Sequence, residues 1–361
     1  QVAQIRFDGR EAGVVARRPV GVIPVELEGP HGIAISPDGD FVYVTLGHGL
    51  PNGSLWKLDA KTGRVAGRTP LGLFPATVSL TPNGEYAFVS NFNLHGDHVP
   101  SSISMVRVSD MVEVARTETC VMPHGSRVNR QGTRHYSVCM MDELLVELDA
   151  RTGTIERMFS VRRGQEGPVD HTRTHAMGGG SASGATPEGT PGTSSGLAGA
   201  GTPSGLAPSA GAQGDCSPTW AEPSVDGTSV FVTCNRAREV LEVDVETWRI
   251  VRRFATGENP YNLAVSPDGR WLLVSLRNRT DPAVEIFSLS DGTMAGRVPT
   301  STTLAHGIAV TGDSRYAFVT VEGVGSEPGK VDVIDLTSFR RVASVEVGQQ
   351  ATGIATVPTA R

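Results

Sequence analysis

Apolar and polar residues alternate with a period of two along most of the chain, and the alternating runs come in pairs. The clearest pair is Pro30 to Thr45, PHGIAISPDGDFVYVT: an apolar run that starts through His31-Gly32, a Pro-Asp-Gly turn, then an alternating Phe-Val-Tyr-Val run. This pattern predicts a β-hairpin. Related segments start at Pro75 (PATVSLTPNGEYAFVS), Pro123 (PHGSRVNRQGTRHYSV), Pro218 (PTWAEPSVDGTSVFVT), Pro260 (PYNLAVSPDGRWLLVS) and Ala305 (AHGIAVTGDSRYAFVT), with a truncated copy at Ala351 (ATGIATVP). Most are followed by a second pair of runs. In GSLWKLDAKTGRVAGRTPLG, from Gly53 to Gly72, an Asp and a Thr-Gly make the turn.

The second residues of the copies are His31, Ala76, His124, Thr219, Tyr261, His306 and Thr352, at spacings of 45, 48, 95, 42, 45 and 46 residues. A period near 45 with four strands per unit predicts an all-β fold, a β-propeller, in a single domain over residues 1–361. Ile5 to Gly21 reads as an outer hairpin with no inner one before it, and the copy at Ala351 as an inner strand with nothing after it. Together they predict a last blade closed by N-terminal outer strands and a C-terminal inner strand. That makes a ring of seven without free sheet edges, its last blade one strand short. The spacing of 95 leaves an inserted loop, 162–215, between blades three and four. Its middle, 178–214, is Gly, Ser, Ala, Thr and Pro repeats too poor in apolar surface to fold, which predicts a flexible segment.

Composition narrows the function. The net charge is −6 with no basic runs, which argues against nucleic acid as a partner. No apolar run approaches the roughly 18–20 residues of a membrane span. A start at Gln1 rather than Met reads as an export signal already removed, hence a periplasmic or extracellular protein. There are four cysteines and no Cys-x-x-Cys-His, so covalent c-type haem is excluded.

The repeated P-x-G-(I/L)-A-x-(S/T)-P-D-G-x-x-x-(Y/F)-V-(T/S), with a later V-x-x-x-D-x-x-T-G, resembles the YVTN-type β-propeller family. That family is similar to the propellers of nitrous oxide reductase and of the haem-binding nitrite reductase. The resemblance covers nearly the whole chain outside the insertion and implies a seven-bladed, extracytoplasmic protein. It implies little about activity, because propellers host many.

Candidate chemistry gathers on one face. His31, His124 and His306 start inner strands of blades one, three and six, the most even spread that three positions in a ring of seven allow. Chance would place about 0.2 histidines there at this composition. Three neutral imidazoles converging on the axis suit copper, zinc or iron; the other reading is a solvated or substrate-contacting ring. Further candidate ligands are His48, His95 and His98 in loops between second and third strands, and His171 and His175 in the insertion. Cys139, Met140, Cys216 and Cys234 join them by position. The pairs Cys120/Cys139 and Cys216/Cys234 fall on neighbouring strands and are open to three readings: disulfides, soft metal ligands or buried thiols. His135 is expected on the opposite face.

Tyr261 stands at the ring position of blade five, as a donor toward the axis or as a plug. Asn91, Asn235, Arg277 and Glu322 end second strands and could form a polar rim. Three residues beyond the ring position most blades carry a small residue, but blade three has Arg127 and blade four Glu222; an unpaired buried charge is costly, so the two are expected to pair. The leading expectation is an exported propeller binding a transition metal, most simply copper, for redox chemistry or metal handling. The first alternative is a binding scaffold for a small molecule or envelope protein at the same face. A lactonase-like enzyme is the weaker one, since no hydrolase motif is found.

Overall fold

The computed structural model describes residues 1–21, 29–47, 52–170 and 215–357. His48, His171, His175 and the repeats of 178–214 lie outside the described residues. All regular structure within them is β-strand, and all strand pairs are antiparallel. Six sheets of four or five strands follow one another, each built from consecutive strands in chain order. Their inner strands are Pro30–Ile35, Pro75–Leu80, Pro123–Val128, Pro218–Pro223, Pro260–Val265 and Ala305–Val310. Each inner strand packs beside the inner strand of the next sheet, so the sheets radiate from a common axis. This is a β-propeller with six complete blades.

The period-two pattern buries both faces of the second and third strands, and the core forms the seams between blades. Tyr136, Val138, Leu145 and Phe159 of blade three meet Ala221, Val230 and Val232 of blade four. Ala264, Leu273 and Ile286 of blade five meet Ala305, Ile308 and Val319 of blade six. Each fully buried side chain of this size contributes about 1.5–3 kcal/mol.

Between blades six and one stands a two-stranded ribbon, Val2–Phe7 with Ala12–Arg18. Phe7 packs edge-on against Tyr316 of blade six at 5.0 Å, and Val2 joins the apolar cluster of Val44, Leu46, Trp56 and Leu58 in blade one. Arg17 donates to the Glu346 carbonyl and Arg18 to those of Ala60 and Lys61. The N-terminal hairpin is thus present, but residues 351–357 form no regular strand, contrary to expectation. They are held instead by individual bonds: Thr320 Oγ1 to the Thr352 carbonyl at 2.6 Å, and Thr356 Oγ1 to that of Val310 at 3.0 Å. The expected insertion also starts late. Gly167–Val169 pairs with Ile155–Ser160 as a fifth strand of blade three, and Glu166 anchors it through Arg253 at 2.8 Å.

Every inner strand loses register with its second strand at the ring position: between Pro30 and Ile33, Pro75 and Thr77, Pro123 and Ser126, Pro218 and Trp220, Pro260 and Leu263, and Ala305 and Ile308. Such a bulge re-aims a side chain out of the pleat. Here the re-aimed residues are His31, Ala76, His124, Thr219, Tyr261 and His306.

The same bulge lets neighbouring blades bond through main-chain carbonyls. Thr45 Oγ1 accepts from Gly32 N at 2.7 Å and donates to the Ala76 carbonyl at 3.0 Å. Ser275 does likewise between Asn262 N and the His306 carbonyl, and Thr320 between Gly307 N and the Thr352 carbonyl. Thr77 donates to the His124 carbonyl, Thr219 to that of Tyr261, and Thr352 to that of His31 at 3.3 Å. The Thr219 carbonyl receives the His124 ring at 2.8 Å. All seven ring-position carbonyls therefore accept a side-chain bond from the preceding segment, and the belt closes.

Replacing Thr45 by Val leaves Gly32 N–H without its acceptor and takes one donor from the Ala76 carbonyl, both buried. The expected loss is about 1–3 kcal/mol, seen as a lower urea midpoint at unchanged slope, with Thr45→Ser losing less. Equal midpoints for Thr45→Val and the parent would show that the belt is not stabilising.

Candidate functional site

His31, His124 and His306 are each followed by glycine, and the structure gives the reason. A Cβ at Gly32 would stand 2.4 Å from the Ala76 carbonyl oxygen, and one at Gly307 would stand 2.6 Å from that of Thr352. Glycine lets the next segment's carbonyl in, and the histidine then turns Nδ1 onto it: His31 Nδ1 lies 3.0 Å from the Ala76 carbonyl and His124 Nδ1 2.8 Å from that of Thr219. A carbonyl only accepts, so these Nδ1 atoms carry the proton and Nε2 is left as an acceptor, which on His124 faces the Tyr261 hydroxyl. His306 faces the Thr352 carbonyl but its Nδ1 makes no bond of hydrogen-bonding geometry.

The three rings converge. The His31 centroid is 6.1 Å from that of His124 and 5.6 Å from that of His306. Tyr261 completes the group, 5.7 Å from His124 and 4.8 Å from His306, with its hydroxyl 3.4 Å from His124 Nε2. His124 and His306 are buried, whereas His31 and Tyr261 are partly open to the channel mouth. Behind them stands an aromatic collar that sequence reasoning missed: Phe92 4.6 Å from His124, Phe74 5.9 Å from His31 and Trp220 6.1 Å from His124. Its only sequence signal is that Phe74 and Trp220 flank ring positions and Phe92 follows a second strand.

Of the rim residues, Arg277 and Glu322 form a two-point ion pair, Nε to Oε1 at 2.9 Å and a second bond at 3.1 Å, beside the Tyr261 ring. Glu322 Oε1 is 4.0 Å from His306 Nε2. Asn235 donates to the Pro260 carbonyl, joining blades four and five. Asn91 is not a rim residue. It is fully buried, accepting from Gly72 N and donating to Ser102 and Ser104, so no polar atom is left for a ligand. Deeper in the channel Arg127 Nε lies 3.3 Å from Glu222 Oε2 and stacks over Trp220. Between this level and the histidines is a cavity of about 30 Å³ bordered by His31, His306, Arg127 and Asn262. It has room for one or two waters.

The soft-ligand set does not survive. Cys120 is bonded to Cys139 and Cys216 to Cys234, with Cα separations of 5.9 and 4.3 Å. A disulfide sulfur is no thiolate, so Cys139, Cys216 and Cys234 are not metal ligands in this state. Met140 packs with Ala76, Phe92 and Met122. His95 and His98 are exposed on the loop after Asn91, with the Phe74 ring between His95 and His31. Among the described residues, no three His, Cys, Asp or Glu side chains are arranged to hold an ion by themselves.

Burial lowers the pKa of His31, takes that of His124 down to about 3 and holds that of His306 well below the usual imidazole value. The positive charge of Arg277 and the neighbouring imidazoles add to the effect, while the carbonyl bonds oppose it. Burial pushes the Tyr261 phenol up to about 12 against the pull of Arg277. At neutral pH the cluster is three neutral imidazoles and a phenol.

No family model matches the chain by sequence, and no curated protein does. Solved structures do match in shape. Hydrazine synthase of Kuenenia stuttgartiensis superposes with a TM-score of 0.67 at 18% identity, over 94% of this chain and 94% of that one. The likeness is one of fold alone. The β-propeller domain of Myceliophteria thermophila Cps50 (Swd1) superposes with a TM-score of 0.62 at 10% identity, over 91% of this chain and 90% of that one. At these identities the likeness shows the propeller scaffold and nothing of its use.

Buried neutral histidines make stability depend on acid. The unfolded chain protonates its imidazoles near pH 6.5 and the folded one only at lower pH, for His124 near 3, so their contribution is intact above about 6.5 and drains away as pH falls through the folded values. His135 isolates the effect. It is the second residue of the strand Arg134–Cys139, at the opposite end from Cys139, fully buried and stacked on Phe88 at 4.7 Å, with neither nitrogen hydrogen-bonded and its pKa down to about 3 through burial. His135→Phe should flatten the decline of unfolding free energy between pH 6.5 and 4 by about 1.4 kcal/mol per pH unit, one proton's worth. Urea unfolding at several pH values reads this, and parallel profiles for the two proteins would refute it.

Proposed function

We propose that the chain is a seven-fold propeller of the YVTN type that binds a transition-metal ion at the mouth of its central channel, through Nε2 of His31, His124 and His306. The observation that carries this reading is the fixed tautomer of His31 and His124. Their Nδ1–H groups are committed to main-chain carbonyls, which leaves Nε2 as a donor and orients the ring, the usual outer-sphere arrangement of a metal-binding histidine. Three imidazoles on one tetrahedral ion, at about 2.1 Å per bond, have centroids about 5.2 Å apart. Two of the three pairs, His31–His306 at 5.6 Å and His31–His124 at 6.1 Å, lie within about 1 Å of that. With the cysteines in disulfides the donors are borderline rather than soft, which favours copper(II), zinc or iron over copper(I). The seventh link of the carbonyl belt, through Thr352, supports the count of seven. Two disulfides support an oxidising, extracytoplasmic compartment. In this reading the ion serves redox chemistry or metal handling.

The second reading is a binding scaffold without chemistry, for a small molecule or an envelope protein at the same face. It is favoured by the lack, among the described residues, of a His, Cys, Asp or Glu trio already spaced for an ion.

Elemental analysis after loading with copper or zinc and desalting separates the two. We expect close to one ion per chain, and loss of most of it in each of His31→Ala, His124→Ala and His306→Ala with the fold retained by circular dichroism. Metal well below stoichiometry in the unmutated protein would leave the scaffold reading standing.

A further inference from the structure

The ribbon and the segment 351–357 fill three of the four strand places of one further blade. The segment stands in the inner place. A Cβ at Gly353 would meet the His31 carbonyl oxygen at 2.2 Å, as one at Gly32 meets that of Ala76, and one at Gly39 in the first turn of blade one would touch Val357 at 3.6 Å. The ribbon stands in the third and fourth places, with Ala12–Arg18 beside the outer strand of blade six, Arg340–Glu346. Among the described residues nothing occupies the second place. Val2–Phe7 pairs only with Ala12–Arg18, whereas the third strand of each complete blade pairs on both edges. Residues 351–357 make no bond from main chain to main chain among the described residues.

The walls of this place are unsealed. At the third position of the second strands, Phe318 of blade six is partly exposed, whereas Tyr43, Phe88, Tyr136, Phe231 and Leu273 of the other blades are at most 1 % exposed. At the second position Val42 of blade one is partly exposed, and its counterparts, from Ala87 to Ala317, are fully buried. Ile33 is likewise the one inner-strand residue at its position that is not buried. In complete blades the third position meets the second position of the next blade, as Phe88 stacks on His135. Phe318 and Val42 therefore face the unfilled place from its two sides.

We propose that an extended segment of a partner protein adds here as a β-strand, between Val2–Phe7 and 351–357. It is about six residues long and antiparallel to both neighbours, with small aliphatic side chains toward Phe318 and a larger apolar one toward Val42. That is the pattern of this chain's own second strands, such as Tyr316–Val321. Outer strands also have a free edge, but among the described residues only this place offers two edges between two apolar walls. The inference rests on the seven-fold count and not on the ion.

The test titrates the full chain with a fluorescent peptide, SRYAFVTVEG, the sequence of Ser314–Gly323, and with a scrambled peptide of the same composition. We expect one peptide per chain, bound at least about tenfold tighter than the scrambled one, and slower amide hydrogen exchange in both Val2–Phe7 and 351–357. Phe318→Ala removes one wall and should weaken binding about tenfold, with Val42→Ala as the second variant should the first lose its fold by circular dichroism. Val251→Asp, on the outer strand of blade four, should leave binding unchanged. Methylating alternate main-chain nitrogens of the peptide should abolish binding, because it removes the ladder and keeps the side chains. No binding, or equal binding of the scrambled or methylated peptide, would overturn this inference and leave the seven-fold count intact. Slower exchange in Val2–Phe7 alone would overturn the count with it. Sedimentation of the free chain as a dimer with Val2–Phe7 already protected would give the place to a second copy, and overturn the inference too.

Discussion

The structure depends on one short-range constraint: at each inner strand a main-chain carbonyl from the next segment comes within bonding distance of the bulge beside it. A pleated strand spends its carbonyls along its own sheet and has none to share across blades. The bulge frees one per blade, and threonine, serine or histidine side chains take it up. Seam packing is strong but non-directional and would tolerate small slips between blades. The carbonyl bonds are directional, so they fix the rotation of each blade about the axis. The same displacement aims the ring residue at the axis, which makes geometry at the channel mouth a by-product of ring assembly.

The charge distribution of the channel follows from burial. The histidines are backed by Phe74, Phe92 and Trp220, and among the described residues the charged groups close by are mutually paired, Arg277 with Glu322 and Arg127 with Glu222. An imidazolium placed there would meet no uncommitted carboxylate, so the rings stay neutral. Neutral nitrogen donors are ready for a Lewis acid or a hydrogen-bond donor, and they are unsuited to holding an anion.

Much of the fold was legible because repetition multiplies a weak signal. A single PDG turn between apolar runs is ordinary; six copies near a period of 45 define blades. His-Gly at three copies was legible as a cluster for the same reason. The rest depended on contacts that no repeat encodes. Gly167–Val169 has no apolar alternation and is a strand only because blade three leaves an edge beside it. The aromatic collar uses residues from three different blade positions, so alignment hides it. Whether the cysteines were linked turned on Cα separations, which strand adjacency bounds without fixing. Asn91 looked like a rim residue because it ends a second strand, yet serines of the neighbouring strand face inward and capture it.

The segment around Thr352 carries a consequence for how the ring comes apart. Blades one to six share zipped ladders and wide apolar seams, whereas this segment touches its neighbours through a handful of separate hydroxyl bonds and forms no ladder of its own. Separate bonds fail one at a time and a ladder must fail together, so among the described residues this segment is the weakest joint of the ring. An opening here runs beside His31, whose carbonyl is the last link, so release of this segment and loosening of the channel mouth are one event.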